Sequence, residues 1–431
     1  MNITDEYGCV YSSDGKLLLE INEQLETYTI KQGTEAICFY SEYRESDLQS
    51  IVIPDSVTHI EDWGLARTML ESIVIPDSVH YIGIGAFYNC PQLQTIVIPG
   101  SVTYVGPCAF ALCVSLQTVV IPNSITYIAY ETFEGCSSLQ SIVIPDSVTE
   151  IGNHVFDGCS SLQSVAIPYS VAEIGAGAFK GCSLLQSVAI PYSVTEIEDG
   201  TFEGCSSLQS MVIPDSVARI GERAFYGCSS LQSIVIPDSV KEIGGQAFPL
   251  GIEVISKSDR YVVEDDLLID REEKRLVQTL KDKECINIPN SITIIGNGTF
   301  KDCSLLHSIV MPNSVTEIGA GAFKGCSLLQ SIVIPNSVTT IESGTFLGCS
   351  SLQGIVIPNS VTEIRECAFS GCSSLQSIVI PYSVTAIKWR AFEDCSSLQS
   401  IIIPKGKKEY FEQLLDAADY EYLKEKLREE G

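Results

Sequence analysis

The chemistry this chain has to offer rests on 17 cysteines, 54 carboxylates and four histidines. The stretch GCSSLQSIVIPDSVTEIG at 135–152 brings a thiol, two carboxylates and several hydroxyls together. Residues of those types could form a nucleophile with its base, or a metal site. A zinc site needs four converging ligands, commonly with C-x-x-C pairs. The sequence has no such pair: Cys108 with Cys113 and Cys367 with Cys372 come closest, each five apart. His59, His80, His154 and His307 do not share one register, so a Cys-His or Ser-His-Asp arrangement would need chance convergence. Glu150, Glu173 and Glu196 share one register and would bind calcium only if their oxygens converged; a solvated acidic edge is expected instead. The chain therefore reads as having no catalytic residues, no metal ligands and no cofactor.

What positions these residues is a repeat. An Ile-Pro or Met-Pro step recurs from Pro54 to Pro237 and again from Pro289 to Pro404, at a spacing of 23 apart from one interval of 22. A fixed period of this length marks a solenoid whose units cannot bury their apolar faces alone. Twelve cysteines, from Cys90 to Cys228 and from Cys303 to Cys395, keep one register and are expected to form a buried column. Rungs stack about 4.8 Å apart, but parallel Cβ vectors at equivalent positions are poorly aimed for a disulfide. Free, inert thiols follow, and the redox compartment is left undecided.

Within one rung, Leu139, Ile142 and Ile144 have leucine-rich spacing. The alternation predicts a short strand with the isoleucines inward and Ser141 and Val143 outward. Pro145 stands where the strand must end, because proline has no N–H for a parallel ladder. Val148 and Ile151 return inward, and Phe156 enters the core at the register of Phe87, Phe179 and Phe392, through a predicted short helical turn on the outer face. The serine column from Ser56 to Ser383 repeats too faithfully to be nucleophilic; its hydroxyls are expected to bond turn backbone.

This unit, with its leucine-spaced strand, proline, Ser-Val, Ile-Gly, Ala-Phe and cysteine, resembles the BspA-like (Treponema pallidum-type) leucine-rich repeat over about residues 31–404. The resemblance implies a non-enzymatic protein of the bacterial or protist cell surface, or a secreted one, that adheres to host matrix proteins or to other cells. The spacing itself shows only a solenoid.

The expected fold is an α/β leucine-rich repeat solenoid with a parallel sheet and 23-residue repeats. Residues 1–30 form an N-terminal hairpin cap, 31–248 a first repeat block, 249–288 an inserted hairpin seam, 289–404 a second block and 405–431 a capping helix. The seam is inferred because EDDLLIDREEKRLVQTLKDKECINIP aligns without gaps to EYGCVYSSDGKLLLEINEQLETYTIK at 6–31, and each reads as strand, polar turn, strand. The two blocks are expected to stack through it as one bent solenoid. In the last segment Phe411, Leu414, Leu415, Ala418 and Tyr422 stand at helical spacing.

A net charge of -28 repels nucleic acid and anionic membrane, and no apolar run approaches the roughly 20 residues of a bilayer span. The N-terminus lacks the basic start and apolar centre of a secretory signal. The chain is thus read either as intracellular or as shortened, against the surface location that the resemblance implies.

Function should lie where the outward register departs from its own consensus. The outward strand centre is valine in most rungs, yet Ala166 and Ala189 replace it in two adjacent ones, which also carry Tyr169 and Tyr192 after proline. Flanked by Asp146 and Asp215, they are candidates for a patch that contacts protein or sugar. At that post-proline place the first block is largely acidic, and the second carries Asn290, Asn313, Asn336 and Asn359. The alternative is that tyrosine covers space valine vacated and was copied by duplication, since EIGAGAFKGCSLLQS occurs at both 173–187 and 317–331. The leading expectation is a monomeric scaffold binding a host matrix or cell-surface protein. An intracellular interaction protein and a glycan binder are the alternatives.

Overall fold

Most rungs of the computed structural model carry two short strands, one on either side of the corner that follows the proline. The structure describes residues 1–38, 45–418 and 420–430 and forms two compact units, Met1–Pro249 and Leu250–Gly431. In the quoted rung the front strand is Ser141–Val143 and the side strand is Glu150–Ile151. Ile142, Ile144, Val148 and Ile151 are buried, and Ser141 and Val143 face out. The Val148 N–H donates to the Pro145 carbonyl at 3.0 Å, which closes a turn directly after the front strand. Proline's missing N–H thus falls where the ladder ends, and its carbonyl holds the corner.

In unit 1 the front strands pair in parallel and in register, Val97 beside Val120, then Val143, then Ala166. Side strands do the same, Tyr127 beside Glu150, then Glu173. Phe87 to Phe248 stack rung on rung, with ring centroids 5.3–6.1 Å apart and near-parallel planes. From Cys113 to Cys228 each cysteine of the column donates its thiol to the phenylalanine carbonyl of the preceding rung, as Cys136 does to Phe110 at 3.2 Å and Cys159 to Phe133 at 3.2 Å. The serine column bonds backbone, as expected, but across rungs: Ser147 Oγ donates to the Ile125 carbonyl at 2.6 Å and Ser216 Oγ to that of Val194 at 2.7 Å.

The outer connection differs from the helical turn expected. It is a chain of tight turns, interrupted by positive φ at His154 (54°) and Gly158 (74°). Alternate donors leave the rung: Phe156 N–H bonds the Ala178 carbonyl at 2.8 Å and Gly158 N–H that of Lys180 at 2.8 Å, while Asp157 N–H stays within it, on the His154 carbonyl at 3.2 Å. A helix would consume those groups internally, whereas stacking uses them to tie rung to rung.

Unit 1 opens with an antiparallel set, Ile3–Thr4, Val10–Tyr11 and Leu17–Glu20, whose last strand pairs in parallel with Ala36–Ile37. Unit 2 opens likewise, with Tyr261–Glu264, Leu267–Asp270 and Arg275–Thr279, the last parallel to Ile294–Ile295. The sequence reading found the second and third strands of each set and missed the first. Asp270, fully buried, is held there by the Arg260 guanidinium at 2.7 and 3.0 Å. Phe300 to Phe392 continue the stacked column within unit 2.

The C-terminal segment is more than the single helix expected. Helix Lys408–Ala417 buries Phe411 and Leu415; a 3-10 turn, Glu421–Lys426, and a strand, Leu427–Glu429, follow. That strand pairs in parallel with Ser400–Ile403 and covers the open ladder edge. Tyr422 lies in the turn and is exposed, while Tyr420 is buried against Phe392 with ring centroids 6.1 Å apart. Its hydroxyl accepts the Phe392 N–H at 3.2 Å, so tyrosine ends the phenylalanine column.

All 17 cysteines are free, and 13 are buried. Burial pushes the thiols of Cys136, Cys228 and Cys349 up to about 12, which makes them poor nucleophiles. In a native-state titration with a thiol reagent, exposed Cys285 should react first, and Cys38, Cys108 and Cys367 more slowly. Cys108 should lag most, pushed up to about 12 by burial and by Glu131. The column should react only in denaturant; rapid native reaction of many thiols would contradict the packing.

Candidate functional site

A parallel sheet is ordinarily covered on both faces, and the front sheet of unit 1 is bare on one. Its outward centres stay open to solvent, with Val74, Val143 and Val212 at 83, 75 and 77% exposure. Where the strands pair in register, Val97, Val120, Val143 and Ala166 form one apolar column at the rung spacing. A row of small hydroxyls, Thr95, Thr118, Ser141 and Ser164, runs beside it.

On the other flank runs the corner row, the residue after each proline. Asp55, Asp77, Asp146, Asp215 and Asp238 are all exposed there. Val52, Val74, Asp55 and Asp77 line a concavity of about 640 Å³ together with Ser50 and Ser72. Tyr169 and Tyr192 occupy the same corner in adjacent rungs, 84 and 71% exposed, with Ala166 and Ala189 exposed beside them. Neither ring stacks on another aromatic side chain among the described residues. Ser193 Oγ donates to the Tyr169 carbonyl at 3.1 Å, which fixes the corner and leaves the ring free. By contrast Tyr382, at the same register in unit 2, packs on Tyr410 at 5.0 Å and under Lys407 at 4.0 Å.

The side strands present a second column, whose aromatic half the sequence reading overlooked. Tyr81 and Tyr104 stack at 5.0 Å, His59 lies tilted against Tyr81 at 5.7 Å, and Tyr127 and the glutamates follow at the same register. Aligning rungs on the second isoleucine would have revealed it. Tyr127, Tyr130, Glu150, Glu173, Glu196 and Glu198 border a concavity of about 590 Å³. Glu198 also pairs with Arg219, which lies 2.7 Å from both Glu198 and Asp199. Burial, then the Glu150 charge, raise the Tyr127 hydroxyl above its ordinary value. The histidines are spent elsewhere: His80 Nδ1 meets the Ser101 carbonyl at 3.2 Å and His154 pairs with Asp157 at 3.0 Å.

Residues 21–140, 127–250, 279–399 and 339–417 match the BspA type leucine rich repeat region, which spans six copies. The chain belongs to the BspA type leucine-rich repeat family. A leucine rich cell surface protein of Faecalibacterium prausnitzii A2-165 is similar at 28% identity over 95% of this chain and 97% of that one, with a TM-score of 0.53. Leucine-rich repeat proteins of Bacteroides ovatus (24% identity, 100% and 97% covered, TM-score 0.46) and T. pallidum (25%, 54% and 87%, 0.34) are also similar. Comparison with curated proteins gives no match. No enzyme family is indicated, and no helix among the described residues is long and apolar enough to cross a membrane.

The BspA type rung separates residues that hold the fold from residues free to vary, and adjacent positions test that division. Val143→Thr should change stability by no more than about 0.5 kcal/mol, while Ile142→Ala should cost roughly 2–5 kcal/mol, read as the shift in thermal midpoint. Equal shifts would show that the front column is structural.

Proposed function

We propose that this BspA type solenoid is a non-enzymatic protein-binding scaffold at the cell surface or in secreted form, recognising a host matrix or neighbouring-cell protein through its front face. The observation that carries this reading is the uncovered valine column of unit 1, with Val74 83% exposed. An apolar stripe with polar margins has the composition of an interface core and its rim. Repetition along the rungs suits avidity for extended or multivalent partners. A similar protein of F. prausnitzii is described as a leucine rich cell surface protein, which supports the proposed location. The Tyr169 and Tyr192 pair, with Ala166 and Ala189 beside it and Asp146 and Asp215 flanking, is the proposed anchor patch, since exposed tyrosines supply large contact area with a polar tip.

Surface plasmon resonance against a panel of purified matrix and host cell-surface proteins tests the reading, with Val74→Ser/Val143→Ser/Val212→Ser and Tyr169→Ala/Tyr192→Ala as variants. Saturable binding by the native protein is expected, lost in the valine variant and weakened roughly tenfold or more in the tyrosine variant, with the thermal midpoint unchanged. No binder in the panel, or binding indifferent to the valines, would overturn it. Glycan-array hits lost with the tyrosines would favour sugar recognition instead.

A further inference from the structure

Resting on the front-face reading above, we infer that the segment held by unit 1 is a basic amphipathic polypeptide. Its apolar side chains lie on the valine column, and its lysines and arginines meet the corner aspartates. The valines provide an apolar floor in both units: Val310 and Val333 of unit 2 are 62 and 81% exposed. The corner charge sets the two faces apart, beside the Ala166 and Ala189 substitutions in unit 1. Of the nine corners from Asp55 to Asp238, unit 1 has aspartate at Asp55, Asp77, Asp146, Asp215 and Asp238, with Gly100, Asn123, Tyr169 and Tyr192 at the others; unit 2 has no corner carboxylate and carries Asn290, Asn313, Asn336 and Asn359, then Tyr382 and Lys405.

That charge is not needed by the turn. The corner closes through a Val148 to Pro145 bond of 3.0 Å where aspartate follows the proline, and through a Val338 to Pro335 bond of 3.1 Å where asparagine does. Aspartate and asparagine serve such turns alike. No Lys, Arg or His forms an ion pair with the five corner aspartates among the described residues, so five like charges line one margin of an apolar face without internal compensation. Complementary charge at an interface rim sets partner choice and encounter rate, and the matching partner is cationic. Asp55 and Asp77 rim the concavity of about 640 Å³ floored by Val52 and Val74, a seat for a basic side chain beside an apolar one. From Asp55 to Asp238 the row crosses eight rung steps, roughly 40 Å, the reach of an extended segment of about twelve residues. Midway, Tyr169 and Tyr192 replace the carboxylates and offer ring faces that a lysine or arginine can cover.

The test is fluorescence anisotropy of the full chain with a labelled peptide of about twelve residues that alternates lysine with leucine, beside a counterpart with glutamate for lysine. Two charge-matched variants are compared, Asp55→Asn/Asp77→Asn/Asp146→Asn and Glu150→Gln/Glu173→Gln/Glu196→Gln. The aspartate set should weaken the lysine peptide roughly tenfold and flatten its salt dependence. The glutamate set should change affinity by less than about twofold, and the glutamate peptide should not bind. Equal losses from both sets would mean general attraction to a polyanion, and a larger loss from the glutamate set would mean the side groove; either result overturns the inference. If the aspartate set changes nothing while Val74→Ser/Val143→Ser/Val212→Ser abolishes binding, the basic partner fails and the front face stands. If the valine set has no effect, the front-face reading itself fails.

Discussion

Everything in this molecule depends on the in-register hydrogen bonding of one rung to the next. Front strands, side strands, alternate amides of the outer turns, most corner serines and the thiols of the cysteine column spend donors on a neighbouring rung. A buried backbone donor must find a partner, and here a partner exists only if the next rung repeats the same geometry 23 residues on. The period is therefore a hydrogen-bonding constraint first and a packing pattern second. Phenylalanine meets phenylalanine and cysteine follows cysteine because equivalent atoms are held one rung apart.

The same constraint explains why so much chemistry-bearing side chain does no chemistry. The thiol of Cys136 is a donor to a carbonyl of the preceding rung, and its burial pushes it up to about 12. The serines after the corner are donors too; Ser170 and Ser383, each directly after a tyrosine, are buried hydroxyls without such a bond. What escapes the constraint is the outward register. Val143 and Asp146 are exposed, so burial does not dictate their identities, and at the Asp146 corner the two units differ while repeating the same buried residue types.

How far the sequence reveals the structure follows from this division. Positions in the ladder repeat often enough that Ile142, Pro145, Cys136 and Phe156 could each be placed from spacing alone. The outer turns could not, because a helical turn and a chain of tight turns bury the same phenylalanine; they differ in whether donors such as Gly158 N–H stay within the rung. The ends were also obscure, since Leu427–Glu429 is a strand only because Ser400–Ile403 offers an unpaired edge, and Tyr420 packs on Phe392 only after the helix has turned the chain back. At the candidate site, Tyr169 and Tyr192 stood out against the corner consensus. The Tyr81 and Tyr104 stack stayed hidden because its register was read through the glutamates that follow it.

The central claim is that the bare front sheet of unit 1, and not its side column or turns, is the face that meets a partner. Amide hydrogen exchange of the full chain, alone and with whichever panel protein binds it, tests this most directly. The account predicts slowed exchange along the front strands, from Ser50–Val52 through Ser141–Val143 to Ser187–Val188, and at the corners that follow them. Protection confined to the side strands Tyr127–Ile128 through Glu196–Ile197, or to the phenylalanine turns, would contradict it.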